Sequence, residues 1–219
     1  MKNVSQNLYL ALSAWLTVSS ASAAGLINSS FETPPVTLAQ NFSVAPAGFG
    51  WTIASGNLDL YSTYWQASSG NQSIDLNGSV ACSIYQDFTF SSSQTWAISF
   101  DLSANPDAGT RGDGLGTGIK NMRVDFGTPG QMTTLGTYGV DAAPRSINNM
   151  QWVTFTTPEV LVSDSVVYRL QFTSIVSGVG GPALDNVQLQ VVPEPSAVAL
   201  LSSGLIGFFV LGRSNKHKV

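Results

Sequence analysis

Histidine and cysteine are almost missing from this chain of 219 residues, which has one of each, His217 and Cys82. A lone cysteine cannot form an internal disulfide, so the fold must be held by burial of apolar surface. Its setting, Ala81-Cys82-Ser83-Ile84-Tyr85, is strand-like and predicts a buried structural thiol. His217 lies in the extreme tail, and everything upstream lacks imidazole. Activated serine or cysteine nucleophiles ordinarily draw on an imidazole base, and zinc sites on imidazole and thiolate, so neither chemistry can be assembled here in the usual way. Charge is scarce as well, at 10% of residues. Between residues 24 and 192 the only bases are Arg111, Lys120, Arg123, Arg145 and Arg169, scattered rather than clustered. That excludes a nucleic-acid partner and leaves cation binding open.

What is present begins with the two ends. Lys2 precedes an apolar stretch from Leu8 to Val18, and Ala21-Ser22-Ala23 supplies the small residues of a signal-peptidase site, giving a signal peptide over 1–23. At the other end Pro193-Glu194-Pro195 is followed by an apolar run over 197–211 and by Arg213, Lys216 and Lys218. As a helix the run reaches roughly 22 Å, short of the ~30 Å hydrocarbon core, which suits a processed rather than a permanent anchor. The prolines keep the junction extended and accessible, and the basic end favours the cytoplasmic side. The segment 192–219 resembles the PEP-CTERM sorting signal of exopolysaccharide-producing Gram-negative bacteria. That resemblance implies exosortase as a partner, membrane contact through the C-terminal helix before processing, and a cell-envelope or extracellular destination.

Residues 24–191 read as one domain of short strands: Gly50–Ile53, Leu58–Tyr61, Gln72–Leu76, Cys82–Phe88, Thr95–Ala104, Asn121–Phe126, Gln151–Thr156, Val166–Ser174 and Ala183–Val191. Alternation sets Trp96, Ile98, Phe100 and Leu102 against Ala97, Ser99 and Asp101, and Tyr168, Leu170 and Phe172 against Arg169, Gln171 and Thr173. With Gly, Asn, Ser and Asp between the strands and no amphipathic helix, the class is all-β, an antiparallel β-sandwich. Residues 104–118 read as a glycine-rich loop and Gly127 to Ile147 as a second irregular region.

The opening Ile27-Asn28-Ser29-Ser30-Phe31-Glu32, the Gly50-Trp51 that follows, and the closing Gly181-Pro182-Ala183-Leu184-Asp185-Asn186-Val187 resemble galactose-binding-like jelly rolls. Gly56-Asn57-Leu58-Asp59-Leu60, Ile84-Tyr85-Gln86-Asp87-Phe88 and the segments between them look like the choice-of-anchor C family and its plant cell-wall relatives. The resemblance implies a jelly roll whose first and last strands lie side by side, with Phe31 near Leu184. It also implies a structural Ca2+ held by Glu32 and Asp185, a cation that takes 6–8 oxygen ligands. Capped turns are the competing explanation for those two carboxylates, and Asp107 with Asp113 is a weaker second pair.

Sugar recognition asks for an aromatic platform and for amides or carboxylates that reach hydroxyls. Tyr61, Tyr64 and Trp65, with Asp59 and Asn71 nearby, are the ligand-binding candidates, while Trp51, Trp96 and Trp152 belong with core strands. The expected function is non-catalytic binding of extracellular polysaccharide in a biofilm matrix. A structural or adhesion protein without a sugar site is the alternative, and a glycoside hydrolase, which needs two carboxylates across one cleft, comes third.

Overall fold

The computed structural model describes residues 25–106 and 118–193. The signal segment, Glu194, Pro195, the apolar run 197–211, Asp107 and Asp113 lie outside the described residues. Among the described residues every regular element is a strand, and no helix is long and apolar enough to cross a membrane. The strands are β1 Ala39–Phe42, β2 Thr52–Ser55, β3 Leu58–Tyr61, β4 Ser73–Asp75, β5 Ser83–Thr89, β6 Gln94–Ala104, β7 Ile119–Thr128, β8 Gln131–Asp141, β9 Val153–Thr156, β10 Val160–Val162, β11 Val167–Ser174 and β12 Pro182–Val191.

They form two antiparallel sheets. The seven-stranded sheet runs β1-β3-β4-β12-β6-β10, with β9 also paired to β6, and the five-stranded sheet runs β2-β5-β11-β7-β8. Leu58 and Leu60 of β3, Ile74 of β4, Ile98, Phe100 and Leu102 of β6 and Leu184 of β12 meet Ile84, Phe88, Val124, Phe126, Leu170 and Phe172 of the other sheet in one buried cluster. The period-two pattern thus places one face of each sheet in a shared apolar layer. Cys82 lies in that layer, and burial pushes its thiol up to about 12, so it is protonated and unreactive.

The region Gly127 to Ile147 is not irregular. It holds β8, which pairs with β7 from Ile119↔Asp141 to Thr128↔Gln131. Gly136, Gly139 and a threonine-rich sequence erase the apolar alternation, and β8 needs little of it because it pairs on one side only. The short strands β1 and β10 are likewise unannounced in the sequence.

The chain's beginning reaches its end through one bond rather than through paired strands. Val187 N–H donates to Ser29 C=O at 2.9 Å, and Phe31 and Leu184 share the core. Residues 25–38 form no strand. Two inward-facing glutamines bind them instead. The Gln86 amide accepts from Ile27 N–H at 2.7 Å and donates to the carbonyls of Ile27 and Gly50. The Gln72 amide accepts from Val36 N–H at 2.6 Å and donates to the carbonyls of Phe31 and Pro34. The backbone groups a strand would have paired are satisfied by side chains.

The outer face of the seven-stranded sheet is roofed. Trp65, Met150 and Ala183 form a second buried cluster, packed by Tyr61, Tyr64, Ile147 and Trp152. Trp65 Nε1–H donates to Ser73 Oγ at 2.8 Å, Ser103 Oγ–H donates to Met150 C=O, and Trp152 Nε1–H donates to Gln66 C=O at 2.9 Å. The segments 62–72 and 142–152 therefore lie over β4, β12 and β6. For this reason Ser99, Asp101 and Ser103, on the polar side of β6, are buried too.

Candidate functional site

A groove of about 210 Å³ opens at the rim of this roof. Its lining comes from Leu38 and Ala39 at the start of β1, Asp59 and Tyr61 on the outer face of β3, Tyr64 from the roof, and Asn77, Gly78 and Asn105, with Val179 and Gly180 of the turn before β12 closing one side. Alternation puts Leu58 and Leu60 into the core, so Asp59 and Tyr61 must face out.

The aromatic wall is built in layers. The Tyr61 and Tyr64 rings stack with centroids 5.3 Å apart and planes at 27°, both half-buried. Trp65 lies behind Tyr61 with centroids 3.9 Å apart and is only 3% exposed. Next to the tyrosines, Asp59 Oδ1 accepts from Asn41 Nδ2 at 2.7 Å and Oδ2 from the Tyr61 hydroxyl at 3.3 Å. Gly78 makes this arrangement possible, because a Cβ there would collide with the Asn41 amide and press on Asp59.

Of the five residues singled out from the sequence for a ligand, Asp59, Tyr61 and Tyr64 thus share one groove. Trp65 is a buried support for the tyrosines, since its hydrophobic area and its indole N–H are both consumed by the roof. Asn71 is not among the lining residues, and its backbone N–H is held by Glu32. Asn41, Asn77 and Asn105 were not singled out. The signal for Asn77 is its place just past a strand that begins with buried Ser73, and no pattern in the sequence points to Asn105.

A buried acid stands behind the groove. Asp75 faces Asp59 in the β3–β4 register. One of its oxygens accepts from Asn77 N–H at 2.8 Å and Gly181 N–H at 3.0 Å, and the other from Asn105 Nδ2 at 2.7 Å. Burial outweighs these bonds and pushes its pKa up to about 7. Asn77 Nδ2 donates to the carbonyls of Val176 and Gly178, anchoring the turn, while its side-chain oxygen, against Gly181, is buried with no hydrogen-bond partner.

Glu32 and Asp185 both grip the roof segment, but as acceptors of backbone N–H. Glu32 Oε1 takes Asn71 N–H and Gln72 N–H, each at 2.9 Å. Asp185 Oδ2 takes Ser68 N–H and Ser69 N–H, each at 2.8 Å, and its Oδ1 takes Asn186 N–H at 2.7 Å. Positive N–H dipoles aimed at these oxygens compete with a cation for the same lone pairs. No group of three His, Cys, Asp or Glu able to hold a metal occurs among the described residues. Both carboxylates act as anchors of the loop that carries Tyr64 and Trp65. Burial pushes the Asp185 pKa up to about 7, helped by the Asp101 charge across the β6–β12 register.

Comparison with known proteins gives the chain relatives. It is 29% identical over 155 residues to Halomucin of Haloquadratum walsbyi, a match over 67% of this chain and 1% of that protein. Among solved structures it resembles the CBM22-1 xylan-binding domain from Paenibacillus barcinonensis Xyn10C, with 14% identity, coverage of 80% and 99% of the two chains, and a TM-score of 0.46. It also resembles a family 35 carbohydrate binding module from Clostridium thermocellum, with 13% identity, coverage of 69% and 90%, and a TM-score of 0.41. Those likenesses are of general outline. Residues 24–190 match the family described as "Protein of unknown function (DUF642)", and the chain belongs to that family.

Proposed function

We propose that this protein is a non-catalytic carbohydrate-binding domain of jelly-roll type, and that it takes its sugar in the groove beside Tyr61 and Tyr64. The observation that carries this reading is the tyrosine pair, two stacked phenol rings half exposed at a groove rim and backed by a rigid buried Trp65. A pyranose ring offers an apolar C–H face to such a wall and hydroxyls to the flanking groups. Asp59 is at hand for those hydroxyls, with Asn77 and Asn105 lining the groove beside it. Rigid aromatics lose little conformational entropy on binding, which favours recognition by a small site.

The setting is extracellular polysaccharide. An export signal over 1–23 and a PEP-CTERM segment over 192–219 would carry the domain out of the cytoplasm and present it to exosortase. Pro193 is exposed just past the last residue of β12, which leaves the junction in reach of a processing enzyme. Titration of the full-length protein against a panel of neutral oligosaccharides tests the binding reading. Saturable binding that Tyr64→Ala weakens supports it, and absence of binding to every glycan replaces it with a structural or adhesive role.

A further inference from the structure

We propose that the groove selects sugars bearing a free amine and turns away uronates. The proposal deepens the sugar-binding reading and rests on it. Its ground is the imbalance between acceptors and cations around one cavity. Asp59 lines the groove, and its two oxygens accept from neutral donors, Oδ1 from Asn41 and Oδ2 from Tyr61. A carboxylate has about four lone-pair sites, so acceptor capacity remains. Asn77 and Asn105, on the same wall, are neutral. Asp75, directly behind, is fully engaged by Asn77, Gly181 and Asn105, which leaves Asp59 as the carboxylate that faces the groove.

No ammonium or guanidinium lies among the lining residues. The described cations sit elsewhere. Arg169 grips Asp87 over the Tyr85 ring, and Arg123 grips Asp125, both on the outer face of the five-stranded sheet. Arg145 donates to Ser103 Oγ and to the carbonyls of Asp141 and Gln151 in the second roof segment. Lys120 is buried on β7. A protonated amine brings three donors, no acceptor and a charge opposite to that of Asp59. The carboxylate of a uronate brings only acceptors and a like charge, and none of the described lining residues is basic.

The test is titration calorimetry of the full-length protein with three matched oligomers: glucosamine, its N-acetylated form, and galacturonate. The glucosamine oligomer is expected to bind roughly tenfold tighter than the acetylated one at low salt, with the advantage shrinking as salt screens the charge. The galacturonate oligomer is expected not to bind. Asp59→Asn should erase the amine advantage, so that the amine and acetylated oligomers bind it with affinities within about twofold of each other, whatever the change common to both. Equal affinity for the amine and acetylated forms, an amine advantage that survives Asp59→Asn, or binding of galacturonate overturns the proposal while the sugar-binding reading stands. Failure of every oligomer, together with the neutral panel, overturns both.

Discussion

Tyr64 is held in place through Gly70. That glycine has φ +67 and its Cα lies so close to the Glu32 carboxylate that a side chain would collide with it. Only this approach lets Glu32 collect two successive backbone N–H groups and tie down the segment that carries Tyr64 to the groove. Truncating the platform itself, in Tyr64→Ala, is expected to weaken glycan binding by roughly tenfold, ~1.4 kcal/mol, with little change in melting temperature, as read by calorimetry and thermal melting of the same sample. Gly78→Ala should weaken binding without touching a ring, because the added methyl displaces the Asn41–Asp59 pair. An unchanged affinity would mean that Asp59 does not contact the ligand. With Glu32 Oε1 and both Asp185 oxygens engaged by amides, chelation is expected to leave the melting midpoint where it is, and a fall would place a metal at that locus.

At the level of elements, the roof and the N-terminal segment depend on side chains doing what strands do elsewhere. Trp65→Phe removes the donor to buried Ser73 Oγ, and an orphaned hydroxyl is expected to lower stability by about 1–3 kcal/mol in chemical denaturation, loosening Tyr61 and Tyr64 with it. The sequence announces most strands of both sheets, because β6, β11 and β12 alternate cleanly. It does not announce β8, whose glycines and threonines carry no apolar rhythm at a sheet edge. It also misleads about β6. Alternation there suggests a wet face, yet Asp101 and Ser103 are buried, since the roof that covers them is made of loops far away in the chain. Gln72 and Gln86 hold the clearest overlooked hint. Each occupies a core-facing position in an otherwise apolar rhythm, Gln72-x-Ile74-x-Leu76 and Ile84-x-Gln86-x-Phe88, and an amide at such a position implies a nonrepetitive segment in need of partners. The groove was legible in part: neighbours in sequence gave Asp59, Tyr61 and Tyr64, whereas Asn77 and Asn105 join them only through pairing of β3, β4, β12 and β6.

For the molecule as a whole, the two acids buried on the outer face of the seven-stranded sheet set how stability responds to pH. Asp75 and Asp185 each have a pKa raised from 3.8 to about 7. Between those values the unfolded chain has released protons that the folded chain still holds, so stability falls as pH rises from about 4 to about 7 and then levels. Urea unfolding across that range should show the decline, and Asp75→Asn together with Asp185→Asn should flatten it. A stability that instead climbs with pH would mean that both groups are ionised in the fold. The sandwich and its roof also have separate interiors, one closed by both sheets and the other by loops resting on one of them. Residue exchange at the exposed positions of segment 62–72 can thus reshape what the surface recognises while the chassis beneath keeps its own cohesion, a division of labour that leaves specificity free to drift without jeopardising the ability to fold.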